Sequence, residues 1–242
     1  MKVDSLTVYI AGDGEFIEEF SRSFLAAGYR VIGAVNAHGK SRSLPKGIKK
    51  SATVPRTANL GVELSSDKVM KRRRLAMMER SLPPAAPVLS SSVLITAAEQ
   101  ATWLRRPGRL IGIGALPTLI AQRLVELAPT SHTDERFMAG AVEFLRKAGK
   151  EVSVVQDRVG MVMPRILCML INEAAFALSE QIASPQDIDA AMKLGTNYPS
   201  GPIEWGSRIG FTNVLAVLDA LYADLHEDRY RAAPLLRQLS ML

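Results

Sequence analysis

The first residues whose types and spacing could do chemistry form a turn. Gly12-Asp13-Gly14 follows the apolar run at 6–12 and precedes a stretch with apolar residues at helical spacing. Two glycines one residue apart let the backbone turn tightly and approach a ligand, which is how a strand–turn–helix unit cradles a pyrophosphate. The chemistry expected there is dinucleotide binding, with Gly12 and Gly14 as the cradle and Asn36, closing the next apolar run, on a ribose. Three features oppose it. Ile17 stands where a third glycine would let helix and strand pack closely. Asp13 and Glu15 put negative charge at a helix N-terminus, and a carboxylate can satisfy the phosphate-binding donors itself. Asn36 is also a weaker ribose partner than an acid. A purely structural turn is the competing reading.

Other reactive types are few. The histidines are His38, His132 and His226. Cys168 sits among Leu167, Met169 and Leu170, where a buried, inert thiol is expected. One cysteine gives no internal disulfide and no Cys-based metal site. The net charge of +6 lies largely in two places, a loop at 38–50 and the run Lys71-Arg72-Arg73-Arg74. Neither is interleaved with aromatics that could stack bases, so a solvated loop and a solvated helix face are expected, with no nucleic-acid partner. At 48% hydrophobic and 22% charged residues the chain reads as an ordinary folded protein. No apolar run of membrane-spanning length occurs, and acidic and glycine residues come too early for a signal peptide. A cytoplasmic protein without a membrane partner is the expectation.

The elements that must hold these groups follow from periodicity. A strand at 6–12, a helix with Phe16, Ile17, Phe20 and Phe24 on one stripe, a Gly28 cap and a strand at 29–36 make a βαβ unit, hence a parallel sheet. A basic loop spans 37–57. A short strand near 58–64, helices at 67–81 and 96–105, a strand at 109–114, helices at 118–127 and 133–148, and a strand at 151–155 follow. This alternation predicts an open α/β sheet over residues 1–156. Beyond it the pattern is helical. A long apolar helix at roughly 160–180 precedes a helix capped by Ser184, with Pro185 at its first position and Gly195 at its end. Tyr198-Pro199 and Gly201-Pro202 read as a rigid turn, and an amphipathic helix starts at Phe211. Residues 157–242 therefore make an all-α domain.

Several patterns in this second half keep a telling order: Asp157-Arg158-Val159-Gly160, Asn172-Glu173-Ala174, and Tyr198-Pro199-Ser200-Gly201-Pro202. In this order they resemble the helical domain of the 3-hydroxyacyl-CoA dehydrogenases, and the similarity runs on through the segment "DRYRAAPLLRQL". The front half resembles that family's NAD-binding domain more loosely. The resemblance implies a Rossmann-like sheet domain, shortened after its second strand, followed by a helical domain of the 6-phosphogluconate-dehydrogenase-like type. It implies NAD-linked oxidation of a 3-hydroxyacyl thioester in acyl-CoA metabolism, and a dimer made by the helical domain.

The family's Gly-x-His-Phe-Phe-Asn-Pro segment aligns with Gly112–Thr118 without a gap. The histidine position then holds Gly114 and the asparagine position Pro117, while Glu126 stands where the family's acid orients the histidine. Pro164 replaces a further asparagine, and of a Ser-Asn-Thr-Ser turn only Ser90-Ser91-Ser92 remains, with Ser92 as the surviving hydroxyl. Oxidising an alcohol needs a base for its proton while hydride leaves, and glycine offers none. The catalytic set is thus expected to be lost, with Glu126 and Ser92 as remnants and Glu126 a solvated or salt-bridged carboxylate. Two readings compete. The chain is a non-catalytic member that associates with itself or an active paralogue, or it is a working enzyme using Glu126, Ser92 or Tyr198 as base. Binding of acyl-CoA through the lysines of the basic loop is compatible with either.

Overall fold

The computed structural model describes residues 6–36 and 44–241, so His38 and the first part of the basic loop lie outside it. Strand β1 (Thr7–Gly12) is buried along its whole length. Its side chains alternate, Val8 and Ile10 toward one hydrophobic layer and Tyr9 and Ala11 toward the other. Helix α1 (Gly14–Ala26) lays Phe16, Ile17, Phe20 and Phe24 into the first layer, each burial worth about 1.5–3 kcal/mol. Gly28, at φ +81°, ends the turn after the helix. Strand β2 (Arg30–Val35) then pairs parallel to β1.

Six more strands complete one sheet: β3 (Lys49–Lys50), β4 (Leu60–Leu64), β5 (Val88–Ser91), β6 (Leu110–Ile113), β7 (Leu124–Pro129) and β8 (Glu151–Val154), in the order β3-β2-β1-β4-β5-β6-β7-β8. The first six are parallel, and β7 and β8 run the other way. Strand order reverses between β1 and β4. The crevice outside the C-terminal ends of these strands is where an open α/β sheet holds its ligand. Helices α2 (Lys68–Ser81), α3 (Ala97–Ala101) and α4 (Glu135–Lys147) flank the sheet.

The helical part comprises α5 (Met163–Ser179), α6 (Pro185–Thr196), α7 (Pro202–Ile209), α8 (Phe211–Leu225) and α9 (Pro234–Leu239). Leu167, Cys168 and Ile171 of α5 pack on Val214, Val217 and Leu221 of α8. The same cluster takes in Val93 and Leu116 from the sheet half, so the two parts share apolar surface. The Rossmann-like parallel sheet followed by an all-helical part is as the sequence predicts.

Some elements differ from expectation. The helix expected at 118–127 is instead a tight turn followed by β7, whose residues 127–129 pair with β6. Its Val125 and Leu127 point into the core beside α1 and α4, and this burial overrides the helical preference of Leu, Gln, Arg and Glu. The basic loop contains β3, paired with Ile32 and Gly33 of β2. Gly195 does not end α6; Asn197, in the left-handed region at φ 57°, does. Three further elements had no counterpart in the expectation, β5, α7 and α9.

Candidate functional site

The ends of β1, β2 and β4 meet at the topological crevice. Gly12 needs its hydrogen side chain, because a Cβ there would lie 2.6 Å from the carbonyl oxygen of Leu64. Asp13 does not cap α1. Its carboxylate instead bridges strands, Oδ1 accepting from Asn36 Nδ2 at 2.9 Å and Oδ2 from the backbone N–H of Ser66 at 2.8 Å. Asn36 Nδ2 also donates to Ser65 Oγ at 2.9 Å, and its Oδ1 accepts from Arg74 at 3.3 Å. Glu15, at the head of α1, accepts from Asn213 Nδ2 of α8 at 3.0 Å. The side chains of Asp13, Glu15 and Asn36 thus each have an internal partner, whereas the first N–H groups of α1 have no side-chain cap.

Phe16, Ser65, Ser66, Lys71 and Asn213 line a small cavity of about 20 Å³ that none of Gly12, Gly14 and Asn36 lines.

Lys71, expected on a solvated face, is buried together with Glu63 and forms an ion pair with it. Glu63 Oε2 also accepts from Ser90 Oγ at 3.2 Å, and Oε1 from the N–H of Ser65 at 2.8 Å. A buried pair of opposite charges with further donors attached is the arrangement under which a charge tolerates the interior. Arg72 and Arg73 do face solvent on the outer side of α2.

The second group of predicted residues lies further along the same edge. The backbone N–H of Gly114 donates to the carbonyl of Glu126 at 2.9 Å. A Cβ on Gly114 would lie 3.4 Å from Glu126 Oε2, so a side chain at 114 would meet this carboxylate. The space between Gly114, Glu126, Met163 and Pro164 is a cavity of about 60 Å³.

Glu126 is neither solvated nor salt-bridged: it is 5% exposed, and its two oxygens accept from the N–H groups of Val162 and Met163 at 3.0 and 2.7 Å. It therefore holds the N-terminus of α5, where free N–H groups and the helix dipole favour a negative charge. Ser92 is buried, with Oγ 3.4 Å from Met161 Sδ. Neither described histidine joins the site. His132 is in the β7–α4 turn at the opposite edge of the sheet, and His226 ends α8. Tyr198 packs on Trp205, ring centroids 5.6 Å apart, in the α6–α7 turn.

The turn between Gly114 and β7 is pinned on both sides. Glu19 accepts from the N–H of Thr118 at 2.6 Å, and Lys150 Nζ donates to the carbonyls of Ile120, Ala121 and Gln122. Burial raises the Glu19 carboxyl above its usual pKa against the pull of the Thr118 N–H, and it lowers the Lys150 amine. Burial likewise pushes the Cys168 thiol up, which leaves it unreactive.

Other sequence patterns are structural ties. Asp157 accepts from the N–H groups of Ala97 and Ala98 at the start of α3. Asn172 donates to the carbonyl of Arg231 and accepts from the N–H of Ala233, holding the C-terminal segment on α5. No group of three or more His, Cys, Asp or Glu among the described residues could hold a metal. No helix among them is long and apolar enough to cross a membrane.

Comparison with known proteins bears on both halves. The family model "3-hydroxyacyl-CoA dehydrogenase, NAD binding domain" matches residues 51–158, and "3-hydroxyacyl-CoA dehydrogenase, C-terminal domain" matches 160–241. The unit β1–α1–β2, with its altered turn, precedes the first match. A 3-hydroxybutyryl-CoA dehydrogenase of Bradyrhizobium diazoefficiens is 36% identical over 167 residues, which are 69% of this chain and 57% of that protein. The 3-hydroxyadipyl-CoA dehydrogenase of Escherichia coli is 40% identical over 51% of this chain and 26% of its own length. The chain thus spans less than two thirds of these curated relatives. Among solved structures, (S)-3-hydroxybutyryl-CoA dehydrogenase from Ralstonia eutropha superposes with a TM-score of 0.80 at 26% identity, covering 97% of this chain and 93% of that one. With two consecutive family models and a shared two-part architecture, the chain belongs to the 3-hydroxyacyl-CoA dehydrogenase family.

Proposed function

We propose that this chain is a 3-hydroxyacyl-CoA dehydrogenase-like protein of acyl-CoA metabolism that has lost the oxidation step. It acts by association, with itself or with an active relative, through its helical half. The observation that carries this reading is Gly114 opposite Glu126. Where an alcohol proton must leave, the chain offers a hydrogen side chain, and the neighbouring carboxylate is already bound to two backbone donors. The Asp13 carboxylate, held by Asn36 and Ser66 at the nucleotide crevice, supports the same reading, since loss of the base removes the need for the cofactor. Calorimetric titration with NAD and an NADH absorbance assay with acetoacetyl-CoA test it together. The expected outcome is no heat of NAD binding and no turnover above the protein-free rate. Turnover that Glu126→Gln abolishes would overturn it.

The second reading is a working dehydrogenase with a base of its own. Likeness to relatives named as dehydrogenases favours it, 36% and 40% identical as above, as does an acid at position 126 still facing the cavity. Of its three candidate bases, Glu126 alone lines that cavity.

A further inference from the structure

A sizeable recess lies away from the crevice. A cleft of about 830 Å³ opens at the opposite edge of the sheet, where the chain enters β4, β5 and β6 and leaves β7. Strands of four to six residues separate it from Gly12 and Ser66, a span of about 15–20 Å at roughly 3.3 Å per residue. Ligands of an open α/β sheet bind at the other edge, so this cleft is separate from the ancestral site.

Its charge is one-sided. Arg56, Arg80, Arg106, Arg109 and Arg136 line it against two carboxylates, Glu79 and Asp134. Arg109 is buried and donates to the carbonyls of Met78, Glu79 and Pro83, so it builds the wall. Arg136 lies 3.3 Å from Asp134 and 4.7 Å over the Phe137 ring. Glu79 accepts from the backbone N–H of Arg106. Among the described residues, Arg56, Arg80 and Arg106 join no ion pair. Guanidinium forks are the donors that match phosphate oxygens in pairs, and three of them line one recess without an ion-pair partner. Pro83, Pro84 and Pro107 give the cleft a rigid apolar wall, and His132 and Ser81 add polar groups to its lining. The volume falls in the range of small-molecule sites.

We propose that this cleft binds a nucleoside polyphosphate. The phosphate chain lies among Arg56, Arg80 and Arg106, and the base lies against the wall of Pro83, Pro84 and Pro107. Bare tripolyphosphate would use only the arginines and adenosine only the wall, so neither matches the nucleotide.

Calorimetric titration of the whole chain with ATP, tripolyphosphate and adenosine tests it, repeated on the Arg80→Ala/Arg106→Ala variant. Both substituted side chains are exposed, and an unchanged melting temperature verifies the fold. The expected result is one ATP per chain, bound more tightly than either fragment, with affinity at least tenfold weaker in the variant. No ATP binding overturns the proposal. So does ATP binding that the variant leaves unchanged, which would put the nucleotide at the opposite edge. Tripolyphosphate binding as tightly as ATP overturns it as well.

Discussion

Glu126 illustrates how a residue inherited from a catalytic pattern can serve the fold. Its two oxygens satisfy the first N–H groups of α5, and no side-chain cation pairs with it. Glu126→Gln keeps one acceptor and loses the other together with the charge, so it should destabilise the chain by about 1–2 kcal/mol. Glu126→Ala removes both acceptors and should cost about 3 kcal/mol, read as a lower urea midpoint at unchanged slope. Unaltered midpoints for both variants would mean that the carboxylate does not hold the helix. The sequence places Glu126 but not its surroundings. Its partners are backbone donors 36 and 37 positions ahead, and a backbone N–H leaves no trace in residue type. Gly114 is the opposite case. The absence of a side chain is legible directly, and the structure adds only that the missing group would have met Glu126.

At the scale of elements, legibility follows how far each depends on distant partners. The unit β1–α1–β2, helices α4, α5 and α8, and the Ser184 cap of α6 carry their pattern locally, and each forms as predicted. β5 and β7 do not. Each has four to six residues, and their pairing with β6 rather than propensity fixes them. α2 is the instructive failure. Four basic residues in a row read as a solvated face, yet a helix turns 100° per residue, so Lys71 and Arg74 point inward while Arg72 and Arg73 point out. Lys71 enters the core because Glu63, fixed on β4, is already there.

This pairing makes a prediction about α2 as an element. Lys71→Met leaves Glu63 buried without its cation and should cost about 3–5 kcal/mol. Adding Glu63→Leu removes the orphan charge and should restore most of that loss, although Ser65 N–H and Ser90 Oγ lose an acceptor. Urea unfolding of both single variants and the double gives the coupling. Additive losses, with the double variant weakest of all, would show that the pair does not act as a unit.

For the whole molecule, the same edge of the sheet that would hold a cofactor has become a seam. Glu15 to Asn213, Asp157 to the start of α3, Glu126 to the start of α5, and the N–H of Gly160 to the carbonyl of Val93 all cross or border the junction between sheet and helices. A dehydrogenase that admits substrate between its halves needs that junction to open; a chain that only associates gains from keeping it shut. The outer helical surface has the complementary character. Val162, Met163 and Ile166 are 44–52% exposed around the start of α5, Ile182 and Leu194 are 70% and 87% exposed, and α6 buries none of its twelve residues. Apolar surface of this kind is left to a partner more often than to water. Light scattering at micromolar concentration should therefore show a species of at least twice the monomer mass. Ile166→Asp with Leu194→Asp should shift it to the monomer without lowering the secondary-structure signal. If the unmodified chain is a monomer on its own, the partner must be a different chain, and co-expression with an active relative decides that case. Failure of both to form a complex removes association as the role proposed for the chain.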